Sequence, residues 1–111
     1  MNLIQLINDR KTEFIELCIA HKVDRLYAFG SSITDHFDFE KSDIDVLVDL
    51  DLKDPLEYGE TLLSLWDNLE SFFKRKVDLL TDESIHNPYL RKSIEATKML
   101  IYDRQGEKVF V

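Results

Sequence analysis

Residues 43–50, Asp-Ile-Asp-Val-Leu-Val-Asp-Leu, constrain the fold more than any other stretch of this chain. Ile44, Val46, Val48 and Leu50 occupy every second position, with Asp43, Asp45, Leu47 and Asp49 between them. A period of two with branched apolar residues on one side predicts a β-strand with one buried face. Side chains at i and i+2 leave the same face of a strand, about 6.6–7 Å apart along it. Asp43 and Asp45 therefore converge on one patch of space. Left alone, two such carboxylates repel, and one of them takes up a proton more readily.

The rest of the chain supplies elements for that strand to pack with. Leu3, Ile7, Phe14, Leu17 and Cys18 recur at helical spacing and predict one amphipathic helix over residues 2–20. Arg25 to Phe29 is short, aromatic-rich and halted by Gly30, which reads as a strand. Residues 31–41 are polar and irregular. Asp54-Pro55 opens a helix, with Asp54 as its N-cap and Pro55 in its first position. Leu62, Leu65, Trp66, Leu69 and Phe73 form its stripe, and Gly59 weakens its first turns. Lys74-Arg75-Lys76 closes this helix and suits the negative end of its dipole. Val77 to Thr81 reads as a third strand, and Asn87-Pro88 starts a last helix carrying Leu90, Ile94 and Met99. The tail, residues 101–111, is read as strand–turn–strand around Gln105-Gly106. The order α-β-loop-β-α-β-α predicts one α/β domain over residues 1–111.

Length and charge narrow the function. A chain of 111 residues fits one modest core, and a 44% hydrophobic composition fits a folded one. The net charge of -8 argues against direct nucleic-acid binding, which needs basic surfaces; plain solubility explains the same charge. Cys18 is the lone cysteine, so no intrachain disulfide forms, and its place on an apolar face predicts a buried thiol. The N-terminus shows no basic stretch followed by an apolar one, and no run approaches the ~20 residues that span a bilayer, so a cytoplasmic protein without a membrane partner is expected. His21, His36 and His86 lack metal-ligand spacing and read as surface residues, while Tyr27, Phe29 and Trp66 read as core.

Asp78 lies between Val77 and Leu79 in the third strand, so it points away from its apolar neighbours. If that strand neighbours the second, Asp78 joins Asp43 and Asp45. Magnesium, a hard cation, takes one or two carboxylates together with substrate phosphates. Three carboxylates suit a two-metal site, with ions about 3.5–4 Å apart. Gly30-Ser31-Ser32 adds a strand end where backbone can approach a ligand closely. A helix start there would aim free N–H groups, and the Ser31 hydroxyl, at phosphate. Plainer readings stand beside these: a solvated strand face for Asp43 and Asp45, a surface position for Asp78, a simple helix cap for Ser31. Lys74, Arg75 and Lys76 could reach phosphate, and His36 and Lys41 lie in the loop facing the proposed site.

"FGSS", then "SDIDVLVD", then "KVDLLT" resemble the minimal nucleotidyltransferases of the polymerase-β-type superfamily, over about residues 24–82. The resemblance implies the nucleotidyltransferase fold: α/β, with a small mixed sheet of at least three strands flanked by helices. It puts the family's Gly-Ser on Gly30 and Ser31, with Ser32 beside them as nucleotide-binding residues. It puts the metal-binding and catalytic carboxylates on Asp43, Asp45 and Asp78, two Mg²⁺ ions between them, and ATP as substrate. The spacer from Ser31 to Asp43 holds eleven residues and lacks the Arg-x-x-Gly-like segment of many members. Small stand-alone members are similar to the antitoxins of two-gene modules whose toxin is a small helical HEPN-type ribonuclease. This resemblance implies transfer of AMP from ATP to a toxin hydroxyl within a hetero-oligomer; a non-catalytic antitoxin that neutralises by contact is the alternative. An aminoglycoside-modifying enzyme would need a further domain, and a glycosyltransferase of the Asp-x-Asp type leaves Gly30-Ser31 unexplained.

Overall fold

A computed structural model describes residues 3–30 and 43–105. The elements run α1 (Leu3–Asp9), α2 (Lys11–Ala20), β1 (Val23–Phe29), β2 (Ile44–Leu50), α3 (Pro55–Phe73), β3 (Val77–Thr81), a 3₁₀ turn (Asp82–Ser84), α4 (Pro88–Thr97) and β4 (Met99–Asp103). The strands form one mixed sheet in the order β3-β2-β1-β4. β1 is antiparallel to both β2 and β4, whereas β2 and β3 are parallel. A parallel pair needs a long crossover, and the 19-residue α3 provides it.

Alternation sorts the two faces. Ile44, Val46, Val48 and Leu50 join Val77, Leu79 and Leu26 in the main core, against Leu3, Ile7, Phe14 and Cys18 from α1 and α2 and Leu65, Leu69 and Phe73 from α3. Phe29 and Leu47 face the other way and meet Ile85 and Ile94, so α4 covers part of that second face. Asp45 shares the parity of Leu47, and Asp78 that of Leu80, which places both on the α4 side. Among the described residues, no helix is long and apolar enough to cross a membrane.

Several boundaries differ from the sequence reading. The expected helix over 2–20 is broken at Arg10, whose backbone (φ -129, ψ 44) is not helical. Arg10 is instead spent on packing: its guanidinium lies 4.3 Å from the Phe72 ring centroid and donates to the Phe72 carbonyl at 2.7 Å. It thereby flanks a cluster in which the Phe14 ring sits 5.5 and 6.2 Å from those of Phe72 and Phe73. Met99 starts β4 rather than extending α4, because β4 finds an open edge on β1. The second strand expected in the tail falls on residues outside those described. Asp54 caps α3 as expected, accepting from Glu57 N–H, and α4 starts at Asn87-Pro88 as expected, with Asn87 as its cap accepting from Tyr89 and Leu90 N–H. Lys74 stops α3 in the left-handed conformation (φ 55), with its N–H on the Glu70 carbonyl. His21 is half-buried rather than on the surface, 2.8 Å from the Leu17 carbonyl and 3.0 Å from Ser64 Oγ, so it ties α2 to α3.

Candidate active site

The strand pairing brings the acidic residues together. In the parallel β2–β3 pair, Asp45 is the register partner of Asp78. In the antiparallel β1–β2 pair, Asp45 is the register partner of Phe29. Asp45 therefore stands between the end of β1 and the second residue of β3, with Gly30 just beyond. Neighbouring strands are about 4.8 Å apart, so the two carboxylates lie side by side on the α4 face. Asp43 precedes β2 by one residue and shares their parity.

Their electrostatics reflect the crowding. Burial, then the charges of Asp78 and Asp43, and a hydrogen bond to Asp78 push the Asp45 carboxyl up to about 6. Adjacent acids make each other's ionisation costlier, and here that adds to the effect of burial. Asp43 has a different neighbour: Lys76 Nζ lies 3.8 Å from its Oδ2. Sequence reasoning put Lys76 with the helix end, but the residue belongs to the approach to β3. Among the described residues, no three acidic, histidine or cysteine side chains are gathered closely enough to hold one ion. Asp45 and Asp78 are brought together, and Asp43 leans on Lys76.

Gly30 adds a second constraint. Its φ is +65, where L side chains are strained, and a Cβ there would lie 2.9 Å from Asp45 Oδ2. Only glycine permits this turn and this carboxylate position at once. Ser31, Ser32, His36 and Lys41 fall outside the described residues.

A cleft of about 410 Å³ opens beside the acids, lined by Phe29, Gly30, Asp45, Trp66, Asp78, Leu80, Leu90, Ser93 and Ile94. Trp66, expected in the core, is half-buried on its wall and donates from Nε1 to the Val77 carbonyl at 2.6 Å. Sequence periodicity put Trp66 on the apolar stripe; that it reaches past the β3 edge is a tertiary fact. Leu90 and Ser93 were likewise missed, because only the crossing of α4 brings them to the acids. A larger cleft, about 530 Å³, lies at the opposite end of β2 and β3. Its acids Asp49, Asp82 and Glu83 form no in-register strand pair, and Asp82 is already bonded to Arg91 at 2.7 Å. The smaller cleft is the chemical one.

The donor set suits a hard divalent cation. It is all oxygen, it carries two adjacent carboxylates with a third nearby, and the Asp45 carboxyl, raised by burial first and then by the charges of Asp78 and Asp43, would be relieved by a cation.

Comparison with known proteins identifies the family and the fold. Residues 12–107 match the family described as Polymerase beta, Nucleotidyltransferase. Over 75 residues the chain is 43% identical to "Putative protein adenylyltransferase MJ1379" of Methanocaldococcus jannaschii, covering 68% of this chain and 73% of that protein. Its fold is similar to a solved structure of a "putative minimal nucleotidyltransferase" (24% identity, 89% of this chain, 95% of that one, TM-score 0.59). It is also similar in fold to a toxin-antitoxin structure with AMP-PNP (24% identity, 86% of this chain, 76% of that one, TM-score 0.56).

Proposed function

This chain belongs to the polymerase-β nucleotidyltransferase family, and from that premise we propose that it transfers AMP from ATP to a hydroxyl of a HEPN-type toxin, acting as its antitoxin. The observation that carries this reading is the in-register pair Asp45–Asp78 beside Gly30. The names of its relatives support it: protein adenylyltransferase for a sequence 43% identical, and a toxin-antitoxin crystallised with a nucleotide analogue for a similar fold.

In this reading Asp45 and Asp78, with Asp43 turned from Lys76, would hold Mg²⁺, which would supply charge stabilisation at the phosphates and a more acidic acceptor hydroxyl. Gly30, with Ser31 and Ser32, lets backbone approach the triphosphate. Asp78, on the cleft side, accepts the acceptor's proton as its oxygen bonds to the α-phosphorus and the bond to pyrophosphate breaks. Below about pH 6 a proton on Asp45 would compete with the metal for this carboxylate. Proton transfer of this kind contributes about 10²–10⁴ in rate. Trp66, Leu80 and Leu90 form part of the cleft's apolar wall.

The test is incubation with Mg²⁺, labelled ATP and a HEPN-type toxin, followed by mass spectrometry for added AMP. Asp78→Asn is expected to lower transfer by at least about 10². Transfer undiminished in that variant would sink the assignment. Toxin silenced by both forms without any added AMP would favour the contact-only antitoxin.

A further inference from the structure

Lys76 is held where it is by the backbone on both sides. Its carbonyl accepts from Ile44 N–H at 3.0 Å, and the N–H of the next residue, Val77, donates to Glu70 Oε2 at 3.0 Å. The residue is thus pinned between the start of β2 and the end of α3, directly beside Asp43. The side chain is not pinned: that of Lys76 is 69% exposed and that of Asp43 42%. A fixed root with a free, four-carbon stem gives the ammonium a short arc to swing through. Other ion pairs among the described residues, Arg91–Asp82, Arg104–Asp51, Arg10–Glu13 and Lys98–Glu95, involve none of the three acids.

We propose that Lys76 is an exchangeable cation of the site: it neutralises Asp43 in the metal-free protein and turns to the polyphosphate of a bound nucleoside triphosphate. This rests on the nucleotidyl-transfer reading and deepens it. An ammonium beside Asp43 opposes an incoming divalent cation, since like charges repel. The same ammonium favours an anionic nucleotide, which three aspartates would otherwise repel. One substitution should therefore change the two affinities in opposite directions. A lysine with a merely structural role would change both together or neither.

The probes are Mn²⁺ alone, followed by electron paramagnetic resonance, and α,β-methylene-ATP with Mg²⁺, followed by calorimetry. Lys76→Gln is expected to tighten Mn²⁺ and weaken the nucleotide, each by about two- to fivefold, the range that exposed charge pairs deliver. Lys76→Arg should keep most of the nucleotide affinity. Unchanged melting curves would exclude a folding defect. If wild-type protein binds both probes and Lys76→Gln binds them equally well, the exchange idea fails while the nucleotidyl-transfer reading stands. Parallel weakening of both probes with a lowered melting temperature overturns the exchange as well. If wild-type protein binds neither probe, both readings fall.

Discussion

Removing the charge of Asp45 should stabilise the metal-free fold while destroying its chemistry. Burial and the charges of Asp78 and Asp43 raise this carboxyl from 3.8 to about 6. Between those values the folded chain binds more protons than the unfolded one, so its stability falls as pH rises through that window. The stability is fully present below pH 3.8 and lost above about 6. A tenfold change in proton affinity corresponds to about 1.4 kcal/mol, which sets an upper bound of about 3 kcal/mol. Asp45 is only half-buried, so water screens the effect, leaving about 1–2 kcal/mol. The amide that replaces the carboxylate in Asp45→Asn is uncharged and can still donate to Asp78. This variant should therefore melt about 5–10 °C above wild type at pH 8 in chelator, and the gap should close near pH 4. Mg²⁺ should stabilise wild type and leave the variant unmoved. Transfer activity in wild type should also decline below about pH 6, where the proton on Asp45 competes with the metal. Thermal unfolding by circular dichroism across pH decides the matter. A variant no more stable than wild type at pH 8, or a gap independent of pH, would refute the electrostatic account.

Two further substitutions probe the frame around the acids. Gly30→Ala combines left-handed backbone with a 2.9 Å contact on Asp45 Oδ2; it should cost about 1–2 kcal/mol in urea unfolding. By displacing the Asp45 carboxylate, it should also slow transfer by about 10² in a labelled-ATP assay. Phe14→Ala empties the aromatic cluster with Phe72 and Phe73 and should destabilise by about 3–5 kcal/mol by the same unfolding measurement, with no direct effect on the site.

Much of this architecture could be read along the chain. The alternation of Ile44, Val46, Val48 and Leu50 specified a strand and its buried face, because a period of two has one physical meaning. Asp54-Pro55 and Asn87-Pro88 marked helix starts, because caps act over three or four residues. The break at Arg10 was invisible, since the apolar spacing continues through it and the cause is Phe72, 62 residues away. The strand and turn expected at the start of the tail are there, but β4 begins two residues earlier, at Met99, because the free edge of β1 receives it.

The site divides along the same line. Sequence alone determined which residues could be metal acids, since side-chain parity at Asp43, Asp45 and Asp78 follows from local covalent geometry. Only the tertiary structure decided that β3 lies parallel to β2 with Asp78 opposite Asp45, that Lys76 meets Asp43, and that Trp66 and Leu90 wall the cleft. Register and crossing depend on how whole faces bury against one another, and no local window of residues contains that information.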